Sequence, residues 1–534
     1  MPRPLPRILA IVLTAFSLLV MGCRKDQPKP TWDMDVVAPL ARTSLTIGDL
    51  VPDSLLDTDA NGNVGILSTL HLFSLSLDTI LAIPDTSLLY AYALPFPGPV
   101  SFPPGSTFNT NDDVTRFDLQ NLHLTKLAVR SGRVDIAISN MMNGNIIGNF
   151  ALPGATSGGS TLELQLALPP GTPSSPSVTT TTRELNGYLF DLRGPDLNAT
   201  NALATHLWYA NSPDGNAVTI TDMDSLLAWV TYHDIIPEFA SGSFGTREME
   251  VEPATVELEL FKHITGTLDL AQVDARLIIR NGLGVDAQAR IHHIRSINTR
   301  TGTTVDLFAP LTSNPLNINR AVDLGSGFIP AANTFAVGQG NSNIEQFLEN
   351  LPDQIGYALD LIINPLGDIS NGHDFLYHDS KVTVDLEVEI PLRLIATNLT
   401  LAKLVDIDLP GTAEAHAWNS GILHLFAENG FPFSAAVQLE VVNASGETMA
   451  LLDPGGTVPA GVLDGNGIVV QPGTARIDFR IGADKMNLLH QSGQLRVKAV
   501  FNTADQSDHV QIKDDYRMDL QLTMDANWVV NGNE

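Results

Sequence analysis

Val382-Thr-Val-Asp-Leu-Glu-Val-Glu-Ile390 alternates apolar and polar residues without a break. Successive side chains of a strand point to opposite faces, so Val382, Val384, Leu386, Val388 and Ile390 share one face and Thr383, Asp385, Glu387 and Glu389 the other. Met518-Asp-Leu-Gln-Leu-Thr-Met-Asp525 repeats the pattern. So do Ile477, Phe479 and Ile481 against Asp478 and Arg480, and Val256, Leu258 and Leu260 against Glu257 and Glu259. Half-buried antiparallel sheets produce this alternation, whereas parallel strands covered on both faces read as continuous apolar runs. The expected fold is all-β: tandem antiparallel β-sandwich-like modules, of a kind that can stack into an elongated molecule.

Helix is scarce in such a sequence. The spacing predicts one over Ser342–Asn350, where Ile344, Phe347, Leu348 and Leu351 share a face. Ser342 and Glu345 form a capping-box pattern there, and Pro352 stops the run. Proline and glycine mark the joints. Leu94–Ser106 is too proline-rich for a central strand, and Pro169–Thr182 reads as an exposed loop or linker. Asn61-Gly62, Asn143-Gly144, Asn281-Gly282, Asn429-Gly430 and Asp464-Gly465 are hairpin signals.

The chain has 534 residues, 30 basic and 59 acidic, for a net charge of −29. A hydrophobic content of 44% with 17% charged residues belongs to a folded protein. Its size predicts several cores rather than one. Nucleic acid is excluded as a partner by the missing cationic surface. Docking on anionic lipid through a polybasic patch is excluded by the same charge.

The N-terminus carries Arg3 and Arg7, an apolar run Ile8–Val20, then Met21-Gly22-Cys23. That is the order of a secretory signal peptide, and the run is too short to remain as a membrane span. Cys23 is the only cysteine, so cysteine catalysis and disulfides have no candidate. Val20-Met-Gly-Cys23 resembles a bacterial lipobox, which implies cleavage after Gly22 and acylation of Cys23. Cleavage removes two arginines and no acid, leaving 28 basic and 59 acidic residues. Two or more acyl chains make attachment lasting, where one holds only marginally. Arg24-Lys-Asp-Gln-Pro-Lys-Pro30 then reads as a short extended tether. Arg24 after the acylated cysteine, rather than Asp, favours the outer membrane by analogy with lipoprotein sorting.

A unit of strand, asparagine, turn and strand occurs three times. Gly132-Arg-Val-Asp-Ile-Ala-Ile-Ser-Asn140 leads to Ile146–Phe150, and Val273-Asp-Ala-Arg-Leu-Ile-Ile-Arg-Asn281 to Ala287–Ile291. Gly421-Ile-Leu-His-Leu-Phe-Ala-Glu-Asn429 leads through Phe431-Pro432-Phe433 to Val437–Val441. Repeats of domain size predict tandem modules. The expected organisation is a signal peptide over 1–22, a lipidated cysteine and tether over 23–31, an N-terminal β region over 32–116, and β modules over 117–250, 251–410 and 411–534. The unit loosely resembles the water-stress (late-embryogenesis-abundant type 14) β-sandwich domain. Lipobox, Trp32-Asp33, repeated β units and a closing alternating strand together resemble envelope lipoproteins of the Bacteroidota type. That resemblance implies a structural role and carries no activity.

Candidate chemistry is thin. Asp57, Asp59 and Asn61 with Gly62 match the first half of a calcium loop, but Ser68 stands where the bidentate acid belongs. A hairpin turn explains the same residues. His373-Asp374, His378-Asp379 and His292-His293 lack the convergence that zinc needs. Ser243 in Gly-Ser-Phe-Gly245 is no nucleophile elbow. Trp208-Tyr209, Trp229 and Trp418 are candidates for a sugar-stacking platform or for ordinary sheet aromatics. The expected function is that of a lipid-anchored, non-catalytic envelope lipoprotein of the outer membrane, facing the periplasm or the surface, with a structural or ligand-binding role. It needs no cofactor beyond lipid on Cys23, with calcium as the weaker option. The alternatives are a tubular lipid-binding or transfer protein, with Ser342–Leu351 as a lining helix, and a glycan-binding or glycan-active surface protein.

Overall fold

Alternation becomes antiparallel sheet almost everywhere. The computed structural model describes residues 31–76, 80–93, 97–262, 264–407, 409 and 416–531; Cys23 and the signal-like run lie outside them. Three strands open the chain: β1 (Thr31–Thr46), β2 (Val64–Ser76) and β3 (Thr86–Ala93). A first set of seven follows: β4 (Thr107–Arg116), β5 (His123–Asn140), β6 (Ile146–Ser157), β7 (Ser160–Leu168), β8 (Ser177–Glu184), β9 (Ala202–Asn211) and β10 (Ser225–Ser243). The second set is β11 (Arg247–Glu257), β12 (Asp274–Asn281), β13 (Ala287–Asn298), β14 (Leu316–Ile318), β15 (Ala331–Gly338), β16 (Gln354–Ile363) and β17 (Lys381–Pro391). The third is β18 (Leu399–Asp406), β19 (His416–Asn429), β20 (Phe433–Val442), β21 (Thr448–Val458), β22 (Gly473–Gly482), β23 (Gln494–Thr503) and β24 (Arg517–Asn531).

All three sets share one strand order, although in the first the short strand Leu189–Asp191 pairs with both β5 and β6 and joins its two rows into one sheet. The pairing orders are β3-β10-β5-β8 and β4-β9-β6-β7 in the first, β2-β17-β12-β15 and β11-β16-β13-β14 in the second, β1-β24-β19-β22 and β18-β23-β20-β21 in the third. Each of the opening strands therefore closes the edge of a different set, β3 the first, β2 the second and β1 the third. Registers match as well. Asn140 pairs with Leu226 and Ser177, Asn281 with Val382 and Ala331, Asn429 with Met518 and Gly473.

The chain divides into two compact units: residues 1–67, 260–272 and 390–534, which hold the third set, and residues 68–259 and 273–389, which hold the first two. In the first unit the two four-stranded layers face each other across a gap of about 10 Å³ lined by Leu425 and Leu520 from one layer and Leu439 and Leu495 from the other. In the second unit Phe117, beside β4, meets Tyr232 of β10 edge to face at 5.5 Å. Apolar burial between layers is the stabilising contact throughout.

At the end of β5, β12 and β19 the chain crosses from one layer to the other, and each crossing turns on the repeated asparagine. All three asparagines are fully buried. Each Oδ1 accepts the N–H two residues on (Met142, Leu283, Phe431) at 2.9–3.0 Å. Each Nδ2 donates to the carbonyl four residues on (Gly144 at 3.2 Å, Val285 at 3.0 Å, Phe433 at 2.7 Å). It donates also to a returning loop (Pro169 at 2.7 Å, Asn319 and Pro459 at 2.9 Å). The next N–H (Met141, Gly282, Gly430) donates to the first residue of the closing strand (Ser225, Lys381, Arg517). The carbonyls of Met142, Leu283 and Phe431 accept from Gly171, Ala321 and Gly461. An amide is the side chain that offers both a donor and an acceptor to backbone here.

Several sequence expectations change in the fold. Asn281-Gly282 and Asn429-Gly430 are not hairpin turns, because the strands on either side lie in different layers. Their glycines let the backbone come close: a Cβ at Gly430 would sit 2.9 Å from the Arg517 carbonyl. Asn61-Gly62 and Asp464-Gly465 do turn hairpins, between Leu56–Thr58 and β2 and between Val462–Leu463 and Val469–Gln471. Ser177–Glu184 is an edge strand, not a linker, since its threonines suit a half-exposed pleat. The Val256–Leu260 alternation ends early: β11 stops at Glu257 and Leu260 is buried in a 3-10 turn. The helix α1 (Ile344–Glu349) forms with Ile344, Phe347 and Leu348 buried. Its capping box does not, because Asn343 is the N-cap and Ser342 donates to the Gly338 carbonyl instead. A longer helix, α2 (Ala483–Ser492), buries Met486 and Leu489 and ends at left-handed Gly493.

Candidate functional site

The lipidation candidate Cys23 lies outside the described residues, so the structure places only the surfaces beyond it. The half calcium loop is an Asx turn. Asp59 Oδ1 accepts the N–H groups of Asn61 (2.7 Å) and Asn63 (2.9 Å), and Oδ2 accepts Asn63 Nδ2 at 2.7 Å. Lys513 Nζ donates to the Asn61 carbonyl at 2.8 Å, which brings an ammonium against the turn; Asp57 is exposed one strand residue away. Among the described residues no three His, Cys, Asp or Glu converge on a possible metal position.

His373 is exposed, with Nδ1 3.0 Å from the carbonyls of Ser370 and Asn371. Asp374 instead turns inward. Its Oδ2 accepts Asn364 Nδ2 at 2.7 Å and the Phe244 N–H at 3.1 Å, and its Oδ1 lies 3.3 Å from Arg320 Nη2. His292 pairs with Asp360 at 2.8 Å on a sheet surface. The proposed aromatic platform is not assembled. Trp208 alternates with buried Leu207 and Tyr209 on β9, and Trp229 with buried Ala228 and Val230 on β10, so they face outward from different layers. Trp418 belongs to the other unit.

The described residues form grooves and an apolar cavity. On the outer face of β1-β24-β19-β22 the register aligns Arg42, Gln521, Phe426 and Arg476 in one row. Phe426 is 41% exposed among polar neighbours, and the Arg476 guanidinium carbon stands 5.5 Å from its ring centroid. This groove, of about 550 Å³, also takes in Glu428 and Asp519. A flat polar molecule would meet an aromatic edge, two guanidinium groups and an amide along that row. In the other unit a cleft of about 760 Å³ is lined by Ile80, Arg116, Asp118, Gln120, Phe244 and Arg247. The cavity, wholly apolar, lies inside the first unit among Leu50, Phe261, Leu401, Phe433 and Phe501 and holds about 30 Å³. That is about one water molecule's share, far below the roughly 150 Å³ in which a small aromatic molecule binds.

Carboxylates around the outer face are held in their charged form. Arg476, then His424, keep Asp478 below the ordinary carboxylate range, and the Ser44 hydroxyl, then Arg517, do so for Asp519. The Asn63 N–H does the same for Asp59. A lowered folded-state value contributes stability above the unfolded value near 4 that is lost as pH falls through the folded one. The urea midpoint is therefore expected to drop steadily as pH is lowered from about 5 to about 3. A midpoint flat over that range would contradict these pairings.

The described residues thus define an all-β protein of repeated two-layer sets with solvent-facing grooves, and no helix among them is long and apolar enough to cross a membrane. No protein-family model and no curated protein matches the chain. Among solved structures, a Parabacteroides distasonis protein thought to be secreted is 12% identical over 52% of this chain and 82% of its own, with a TM-score of 0.27. The VP2 subviral particle of infectious bursal disease virus is 9% identical over 91% and 86%, with a TM-score of 0.11. Likeness at this level says nothing about role.

Proposed function

We propose that the chain is a lipid-anchored envelope lipoprotein of the outer membrane, non-catalytic, holding repeated β-sandwich sets in an aqueous compartment for a structural or ligand-binding role. The observation that carries the reading is Cys23, the sole cysteine, which follows a 13-residue apolar run across Met21-Gly22. Its membrane partner is engaged through acyl chains, and its charge argues against nucleic acid. The groove at Phe426 and the cleft at Phe244 are where a ligand would be sought. The same five hydrogen bonds at Asn140, Asn281 and Asn429 support the reading of one repeated β module. A transfer role for lipid finds little support in a cavity of about 30 Å³, and a glycan role finds little in tryptophans on different layers.

The test is Cys23→Ser in a double-membrane bacterium. The wild type is expected in the outer-membrane fraction with a diacylated or triacylated N-terminal peptide by mass spectrometry. The variant is expected to lose all acyl mass and to leave the membrane on a salt wash. An unacylated wild type, or a variant that stays membrane-bound, would overturn the proposal.

A further inference from the structure

Equivalent sheet faces of the three sets differ in charge. Across β3-β10-β5-β8 the register lines up Leu89, Trp229, Ala137 and Thr180. The neighbouring row toward the Asn140 crossing is Ala91, Leu227, Ser139 and Val178. Both rows point outward, because Tyr90, Ala228 and Ile138 between them are buried on the inner face. Leu89 is 56% exposed, Trp229 38% and Val178 63%. Neither row carries a charged side chain. Three residues before the crossing asparagine, the same row reads Arg42, Gln521, Phe426 and Arg476 in the third set. In the second set it holds Asp385, ion-paired to Arg280.

An exposed apolar patch of this kind marks an interaction surface. We infer that the outer face of β3-β10-β5-β8 binds the same face of a second copy of this chain, as a two-fold dimer. Net charge of −29 holds two copies apart elsewhere, whereas two faces without charge meet at no such cost. The rows are also self-complementary in size. A two-fold axis along the strands, between β10 and β5, lays Leu89 over Thr180 and Trp229 over Ala137 of the second copy. The neighbouring row then lays Leu227 over Ser139 and Val178 over Ala91, bulky on small each time. A glycan would need amides, carboxylates or guanidinium groups for its hydroxyls, and a bilayer would need basic anchors beside the tryptophan; these rows offer neither. Four strands at a spacing of about 4.8 Å make a face about 19 Å wide, small for a specific interface, so the dimer is a weak one. Nothing in this depends on Cys23, and the dimer and the anchor stand or fall separately.

Sedimentation equilibrium provides the test, on the chain from residue 23 onward with Cys23→Ser to keep it unacylated, at concentrations from about 5 to about 300 μM. The expected result is a monomer–dimer equilibrium whose dissociation constant falls about tenfold between about 0.02 and about 0.5 M NaCl, because salt screens the net charge and spares apolar contact. Trp229→Glu is expected to raise that constant by about tenfold or more. Leu89→Glu combined with Val178→Glu, both on edge strands, is expected to do the same and serves if a glutamate on central β10 disturbs folding. Val322→Glu, on an exposed hairpin of the second set, is expected to leave it unchanged. A monomer at every concentration and salt, a dimer that tightens as salt is removed, or a dimer that both face variants leave intact overturns the proposal. So does a monomer that binds phosphatidylcholine vesicles or a neutral oligosaccharide through Trp229, which gives the face to that occupant instead.

Discussion

Asn429→Ala is expected to lower the stability of its unit by about 3–5 kcal/mol, and Asn429→Asp by more, at neutral pH. The side chain is fully buried and satisfies three backbone groups at once: the Phe431 N–H and the carbonyls of Phe433 and Pro459. Alanine leaves all three without partners in a place water reaches poorly, and each orphaned group costs about 1–3 kcal/mol. Aspartate has the same shape but turns an oxygen, and a buried charge, toward two carbonyl oxygens. Acidification protonates it and restores one donor, so the deficit of the aspartate variant relative to alanine should shrink as pH falls. Urea unfolding at two pH values measures this, with exposed Asn466→Ala as the near-neutral control. Equal midpoints for wild type and Asn429→Ala would show that the crossing does not depend on the amide. Asn140→Ala and Asn281→Ala should act alike in the other unit, because the hydrogen bonds are the same.

The second large effect belongs to Asp374. The short strand Asp374–Tyr377 pairs with β10, Gly242 opposite Asp374, and bridges to Gly284 beside the second crossing. Asp374 is fully buried, with Asn364, Phe244 and Arg320 gathered on its carboxylate. Arg320 Nη2 in turn donates to the carbonyls of Gly284 and His373. Alanine would take the acceptor from the Asn364 amide and the Phe244 N–H and leave half-buried Arg320 without its carboxylate, so Asp374→Ala should cost about 3–5 kcal/mol. Asp374→Leu combined with Arg320→Met should cost less than the two single changes added together, because an apolar pair leaves no charge behind. A loss under about 0.5 kcal/mol for Asp374→Ala would place it among ordinary surface changes and refute this account.

Asp374 also shows where reading residues in order stops. Beside His373 and His378 it looked like a loose metal candidate, and nothing local says that its carboxylate turns toward Arg320, 54 residues earlier. Trp208 and Trp229 looked like one platform because alternation gives the facing of a residue within its strand but not which layer that strand joins. Asn281-Gly282 and Asn61-Gly62 are the same dipeptide, yet one turns a hairpin and the other carries the chain between layers. The difference lies in the partner of the following strand, β16 in one case and the adjacent strand in the other. Ser177–Glu184 read as linker because an edge strand needs no apolar face.

Alternation in Val382–Ile390, in Met518–Asp525 and in the three asparagine units determined by itself that the chain is sheet and that one unit recurs, because side-chain period and local amide chemistry are written residue by residue. Cys23 and the run before it determined the expected anchor in the same way. Which edge each of β1, β2 and β3 closes was decided only by tertiary structure. A strand edge accepts any strand of compatible pleat, and burial across the finished layers, not the strand's own residues, selects among them.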